Sequence, residues 1–562
     1  MNAERLLAHY HEIADVPNAV ARLRRFILDL AVRGKLVLQD PNDEPASELL
    51  KRIANEKDRE NRKRKALPDV NEPPFDVPRN WRWTRVREVT SDRAQQVPQS
   101  KFTYIDVTAI DKEAGVVAAP KVLEASDAPS RARKVTRKGD VIYSCVRPYL
   151  LNVAVIETDF DPAPIASTAF AVLNGHGHVL PRYMWIVLRS PFMVECVEEN
   201  QRGQAYPAIN DADFAVLPFP LPPLAEQHRI VGKVNELMGL CDRLELARAD
   251  REAARDRLAA ASLARLNTPE PETFQADSRF VLDALPALTT RPDQIKQLRQ
   301  TVLNLAMRGK LVQQDANDEP ASELLNRIAN EKGRSRRGPV SINPEDEPYA
   351  LPKTWKWAAL DQLIVSGPQN GISPKPTKRE DAPKAISLTA TTSGTFNPIY
   401  FKYVEANIPI GSDFWLKDGD LLFQRGNTRE YVGMAAVYRG PPNTFLFPDL
   451  IMKVRVSGHV CLDYVHLASI SPASREFLSS KASGAQATMP KINQGTLVSL
   501  PIPLPPLAEQ RRIVAKVEAL MALCDRLEAS LASVADARRQ LLDALLADAL
   551  VPVASQELEA AE

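Results

Sequence analysis

Two stretches of this chain, PLPPLAEQHRIVGKVNELMGLCDRLE (220–245) and PLPPLAEQRRIVAKVEALMALCDRLE (503–528), are nearly the same text. Each opens with prolines that cannot continue a strand, then places Glu226 or Glu509 where a carboxylate meets the positive end of a helix dipole. Each therefore starts a helix. Apolar residues follow at alternating spacings of four and three: Ile230, Val234, Leu237, Cys241 and Leu244 in the first copy, Ile513, Val517, Leu520, Cys524 and Leu527 in the second. That spacing is a heptad seam. A lone helix would leave such a stripe in water, so the two copies are expected to bury their seams against each other.

A second repeat accompanies the first. LRRFILDLAVRGKLVLQDPNDEPASELLKRIANEK (23–57) returns as LRQTVLNLAMRGKLVQQDANDEPASELLNRIANEK (298–332), identical at 27 of 35 positions. The copies are 275 residues apart and the proline-led helices 283 apart, against half of 562, which is 281. The chain is thus one unit used twice. Within it, a helix stops at Gly34 or Gly309, and Ser47 or Ser322 is placed to cap a shorter helix. A basic connector follows, KDRENRKRK or GRSRRG; it reads as solvated linker, with contact to a polyanion as the alternative. Trp81 and Trp83, and Trp355 and Trp357, then alternate along an extended entry, which puts each pair on one face and reads as core, with base stacking as the alternative.

Between that entry and the next proline run the copies diverge almost completely. Two correspondences survive. RKGDVIYSCVRPYL, around Asp140, matches LKDGDLLFQRGNTREY, around Asp420: a Gly-Asp turn, an apolar strand, then Arg147 or Arg425. GQAYPAIN, with Tyr206 and Asn210, matches AQATMPKIN, with Met489 and Asn493. Short β-branched runs between Gly, Pro, Asn and Asp imply mixed α/β inserts. The expected fold is α/β (α+β): two globular mixed domains separated by a pair of long antiparallel coiled-coil helices, related by a pseudo-two-fold repeat, with the chain ends close together. The segments are 1–65, N-terminal and helical; 66–217, first insert; 218–335, central repeat with a long helix; 336–500, second insert; and 501–562, C-terminal long helix.

Composition narrows the function. A net charge of +1 gives no bulk attraction to a polyanion, so any such contact rests on local patches. The five cysteines are scattered without a CxxC pair, which reads as reduced core residues in a cytoplasmic protein. No window approaches a membrane span. EPPF (72–75) is the nearest string to a base-holding methyltransferase motif, and its acid is one methylene too long. No phosphate loop occurs. His9 and His11, and His176 and His178, lack partners at metal-ligand spacing and read as exposed loop residues. PDLIMK, around Asp449 and Lys453, lacks the spacing of a nuclease core. The chain is expected to hold no metal and to be non-catalytic.

The doubled LPxPLPPLAEQxRIVxKVxxLMxLCDRLE text, the RGKLV segment, the WxW entry and the Gly-Asp strand together resemble the specificity subunits of Type I restriction-modification systems over essentially the whole chain. That resemblance implies that the inserts are target recognition domains, each reading one half of a split DNA site, with the long helices as spacer. It also implies partners, two methylation subunits using AdoMet and two restriction (motor-nuclease) subunits using ATP and Mg, which methylate adenine at N6 or cleave. The helix from Leu224 to Leu266 would span about 65 Å at 1.5 Å per residue. Alternatives are a bivalent adaptor without DNA function, or the reader part of a self-contained methyltransferase.

Base readout needs Arg or Lys for guanine, Asn or Gln for adenine, or apolar contact with a thymine methyl. The first insert offers Arg131, Arg133, Lys134, Arg147, Tyr149, Gln201, Arg202, Gln204 and Tyr206. The second offers Gln424, Arg425, Asn427, Arg429 and Tyr431 in one loop, with Lys481, Gln486 and Lys491 from another.

Overall fold

The computed structural model describes residues 16, 18–59, 70, 72–203, 206–267, 272–332, 342, 347–483 and 489–548. The connectors beyond residue 59 and 332, His9, His11, Gln204 and Gln486 lie outside them. The chain divides into two compact units, Met1–Arg251 with Ala535–Glu562, and Glu252–Val534. Both boundaries fall inside the long helices.

In the first unit, α1 (Ala19–Val32) and α2 (Ala46–Arg59) precede strand β1 (Arg82–Arg85). β2 (Phe102–Ile105), β3 (Lys121–Leu123), β4 (Ala132–Val135), β5 (Val141–Ser144), β6 (Val153–Val155), β7 (Pro164–Ser167) and β8 (Phe170–Asn174) follow. Then come α3 (Pro181–Arg189), α4 (Pro191–Asn200), α5 (Asp211–Ala215), β9 (Pro218–Leu221) and the 44-residue α6 (Leu224–Asn267). Among the described residues, β1 pairs with β9, β3–β2–β7–β4 form one sheet, and β8–β5–β6 form the centre of another. β2 and β7 run parallel; β5 is antiparallel to both its neighbours.

The second unit opens with α7 (Phe274–Leu288), α8 (Pro292–Met307) and α9 (Ala321–Lys332). Its strands are β10 (Lys356–Ala359), β11 (Ile364–Asn370), β12 (Lys384–Ile386), β13 (Phe401–Tyr403), β14 (Asp420–Gln424), β15 (Ala435–Val437), β16 (Phe445–Leu446) and β17 (Ile451–Val456). α10 (Leu462–Ser469), α11 (Pro472–Ser480), α12 (Gln494–Val498), β18 (Pro501–Leu504) and the 42-residue α13 (Leu507–Asp548) complete it. The pairings repeat: β10 with β18, β11–β17–β14–β15 in one sheet, and β13–β12–β16 in another with β12 and β16 parallel. Two inserts with little shared text thus repeat the same central pairings, although the described sheets have four and six strands in the first unit and four and three in the second.

The seam residues are buried or half-buried, but by a different neighbour than periodicity suggested. Ile230, Val234 and Cys241 lie in the first unit's core with Leu23, Ile27 and Leu30 of α1, and Leu237 packs against it. Ile513 and Val517 lie with Val302, Leu303 and Ala306 of α8, and Leu520 packs there. Leu244 and Leu527 are half-buried and Cys524 is buried. The expectation that the two stripes bury against each other is corrected over this stretch: each unit's own amphipathic helix covers its stripe first. Arg24 of α1 clamps the contact on Asp242 at 2.6 Å and Glu245 at 2.9 Å. Arg299 of α8 repeats it on Asp525 at 2.7 Å and Glu528 at 2.9 Å.

Ser47 and Ser322 do not cap. α2 and α9 begin one residue earlier, at Ala46 and Ala321, because those N–H groups donate to the carbonyls of Asn80 and Thr354. Gly34 and Gly309 do stop their helices, each at φ +66°. The cysteines are free thiols.

Candidate nucleic-acid interface

Each insert is mounted on the frame by the same set of bonds. At the start of α6 the buried Glu226 accepts from Trp81 Nε1 at 2.9 Å and from Gln39 Nε2 at 2.6 Å. Glu509 accepts from Trp355 Nε1 at 3.0 Å and Gln314 Nε2 at 2.6 Å. Burial pushes both carboxyls above the ordinary carboxylate range, and the tryptophan hydrogen bonds oppose that rise. Arg229 pairs with Asp43, and Arg512 with Asp318, each at 2.6 Å.

The side chain of Gln227 accepts the Leu180 N–H and that of Gln510 the Cys461 N–H, both at 2.9 Å. Tyr183 donates its hydroxyl to the Pro220 carbonyl at 2.9 Å, and Tyr464 donates to Pro503 at 2.5 Å. Trp81 and Trp355 are buried as expected, while Trp83 and Trp357 are half-buried and donate to the carbonyls of Phe75 and Tyr349.

The two surviving correspondences meet in space. In the first unit the segment after β5 pairs with the loop before α5 through the bridge Val146–Ala208, and that loop folds back on itself through Arg202–Ala208. In the second, the segment after β14 pairs with the loop before α12 through Gly426–Lys491, and that loop folds back on itself through Ser483–Lys491. Asn210 and Asn493 then cap those short helices, accepting the N–H groups of Asp213 and Thr496. The outcome is one loop pair per unit, displayed at the end of a buried central strand.

Within this pair the candidates separate. Tyr206 is 69% exposed and Tyr149 49%. Arg147 is half-buried. Asn427 and Gln201 are half-buried, the latter with its Oε1 buried and unpartnered. Arg131, Arg429, Lys481 and Lys491 are exposed. Arg202 is exposed and paired with Asp213 at 3.0 Å. Arg133 is half-buried and donates to the Ala132 carbonyl. Arg425 is half-buried with its guanidinium 3.5 Å from the Asp449 carbonyl. Tyr431 is half-buried beside Glu430, which raises its hydroxyl pKa.

Two candidates belong to the interior instead. Lys134 shares an inward face of β4 with Ala132, is 8% exposed and pairs with Asp211 at 2.8 Å. Gln424 is fully buried; its Nε2 donates to the Leu388 carbonyl and Thr391 Oγ1, each at 2.9 Å. Neither presents its polar end to a groove. Met489 of the second loop, 45% exposed, is a surface apolar group that the polar candidate set missed; the GQAYPAIN alignment, which places it opposite Tyr206, is the signal for it.

His176 and His178 are not exposed loop residues: both are half-buried, hydrogen-bonded to Ser91 at 2.5 Å and to Glu56 at 3.1 Å. Phe75 of EPPF packs edge-on to Trp83 with centroids 4.9 Å apart. Lys453 is buried and donates to the Asp413 and Trp415 carbonyls. Among the described residues no group of three or more His, Cys, Asp or Glu is placed to hold a metal, and no helix is long and apolar enough to cross a membrane.

Comparison with known proteins adds to this geometry. The family described as the Type I restriction modification DNA specificity domain matches residues 352–534. The EcoEI specificity subunit of a Type I restriction enzyme from Escherichia coli is 30% identical over 94% of this chain and 94% of its own length. The EcoAI specificity subunit from the same species is 30% identical over 94% of this chain and 93% of its own. A solved chain from work on complex assembly and conformational transition of the type I R-M system shares the fold, with a TM-score of 0.52 at 24% identity, over 85% of this chain and 99% of that one.

Proposed function

The chain belongs to the family of Type I restriction enzyme specificity subunits, and from that premise we propose that it reads a bipartite DNA sequence, one insert per half-site. In this reading it performs no chemistry. It directs adenine-N6 methylation by two methylation subunits that bind AdoMet, and cleavage by two restriction subunits that use ATP and Mg. The long helices serve as the spacer that fixes the gap between half-sites.

The observation that supports this reading best is the contrast between frame and insert. The mounting bonds repeat within 0.1 Å at the tryptophan, glutamine and arginine contacts. The loops they display differ in nearly every exposed side chain. A frame held constant while two heads diverge suits two readers of unlike sequences, and joining them raises discrimination because the first contact concentrates the second. Mapping methylated adenines in DNA from cells carrying the chain with its methylation subunits tests this. A split motif is expected; a continuous motif, or none, overturns it.

A further inference from the structure

Backbone hydrogen bonds set the two loop pairs in one register. The carbonyl of Cys145 accepts the Ile209 N–H at 3.0 Å, and that of Arg425 accepts the Ile492 N–H at 2.8 Å. Two residues further on in each matched strand, the N–H of Arg147 donates to the Pro207 carbonyl at 2.8 Å and the N–H of Asn427 to the Pro490 carbonyl at 3.4 Å. Cys145 therefore corresponds to Arg425, and Arg147 to Asn427. The sequence pairing of Arg147 with Arg425 is two residues out of step. Tyr206 correspondingly stands where Met489 does.

We propose that Arg147 and Asn427 are equivalent specificity-determining residues, Arg147 selecting a guanine in one half-site and Asn427 an adenine in the other, with Gln424 positioning the Asn427 amide. The proposal rests on the DNA-reading function above. A guanidinium fork fits the O6 and N7 acceptors of guanine, and a carboxamide fits the donor and acceptor of adenine N6 and N7. One backbone position carrying these two chemistries in two otherwise matched loops is what two readers of unlike half-sites require.

The support beneath each residue fits its task. Arg147 lies over the Tyr206 ring, and among the described residues no carboxylate pairs with it. Its fork remains open to acceptors. Asn427 donates from Nδ2 to Gln424 Oε1 at 2.6 Å and accepts the Thr428 N–H at 2.7 Å. One N–H and one lone pair of the amide are left, the complement of adenine's edge. Gln424 cannot exchange its oxygen and nitrogen ends, because its Nε2 is committed to Leu388 and Thr391. Orientation is thus passed outward from a buried amide to a half-buried one. The first unit has Ser144 in place of Gln424, its Oγ donating to the Val146 carbonyl, and takes its support from Tyr206 instead.

Selection from a randomised duplex pool by the full chain with its methylation subunits tests the proposal, using wild type, Arg147→Asn and Gln424→Ser. Arg147 has φ +50°, a conformation asparagine tolerates well, so the first variant suits the backbone. Expected is a loss of about tenfold to hundredfold in guanine preference at one position of one half-site for Arg147→Asn. Gln424→Ser should weaken adenine preference at one position of the other half. Should Gln424→Ser not fold, Asn427→Ala carries the same test from a half-buried loop. Unchanged preferences, or an equal loss on all sequences, overturn the proposal while a split wild-type site leaves the DNA-reading function standing. A wild-type chain that selects no split site overturns both.

Discussion

The guanidinium carbon of Arg147 lies 4.7 Å from the centroid of the Tyr206 ring. The ring is well exposed, so the contact is in the range of about 0.5–1 kcal/mol, and its effect is to restrict where the arginine fork points. Tyr206→Ala is expected to weaken binding to the preferred duplex by about that amount, while Tyr206→Phe retains it. Titration of preferred and scrambled duplexes at one salt concentration checks this. Equal weakening on both would assign the ring to backbone contact.

Lys134 is expected to affect folding and leave base preference alone. Its partner Asp211 remains largely exposed, with side-chain exposure of 63%, so removing the lysine does not strand a buried charge. Lys134→Met should cost about 1 kcal/mol. Thermal denaturation reads the cost, and duplex selection reads the unchanged preference; an altered site would return Lys134 to the recognition surface.

Glu226 and Glu509 introduce a pH dependence. Their carboxyls are raised by burial, so the fold holds these protons more tightly than the unfolded chain does. The associated stability is fully present below the ordinary glutamate range and is lost as pH rises through the raised values. Replacing both by Gln removes that slope while leaving an oxygen to accept from each tryptophan. The melting temperature of wild type minus that of the double variant should fall with rising pH across this interval, then level off. A difference independent of pH would contradict the assignment.

Gly34 and Gly309 mark where a side chain cannot be admitted. A Cβ would stand 2.4 Å from Pro78 Cγ in the first case and 2.6 Å from Pro352 Cγ in the second. Alanine at either is expected to destabilise by about 1–3 kcal/mol from strain and clash. Gly177, at φ +75° with nothing within 4 Å of its Cβ position, is the control: Gly177→Asn should be nearly neutral. Denaturant midpoints of the three variants decide.

Exchanging residues 361–500 for the corresponding segment of a relative should change one half of the recognised sequence and keep the other. The exchange begins just after β10 and ends just before β18, which pair with each other, so the mounting strands stay native. Methylation mapping is the readout, and a change in both halves would count against one insert per half-site.

Much of the frame was legible because repetition needs no alignment to be seen. The Gly-Asp turns are real: Asp140 and Asp420 are buried and accept the N–H groups of Arg137 and Lys417, each at 2.8 Å. Periodicity also identified which residues of the long helices are covered, but a stripe does not name its cover, and α1 and α8 took the place assigned to the sister helix. The candidate loops were found by their borders and misaligned inside. Both contain an arginine after the strand, which masked the two-residue offset; counting from Asp140 and Asp420 reveals it, and the bonds that Arg147 and Asn427 donate to the Pro207 and Pro490 carbonyls show it in space. Lys134 was misread because its side chain's direction follows strand alternation, which composition ignores.

Several of the contacts that seat each insert engage main-chain atoms: the Leu180 and Cys461 amides, and the Pro220 and Pro503 carbonyls. The main-chain carbonyl is common to all residue types and the N–H to all but proline. Apart from one tyrosine hydroxyl, these contacts place little demand on the insert's own alphabet, which leaves its displayed surface free to drift without loosening its seat. Tolerance at the joint is thus a physical source of diversity at the tip.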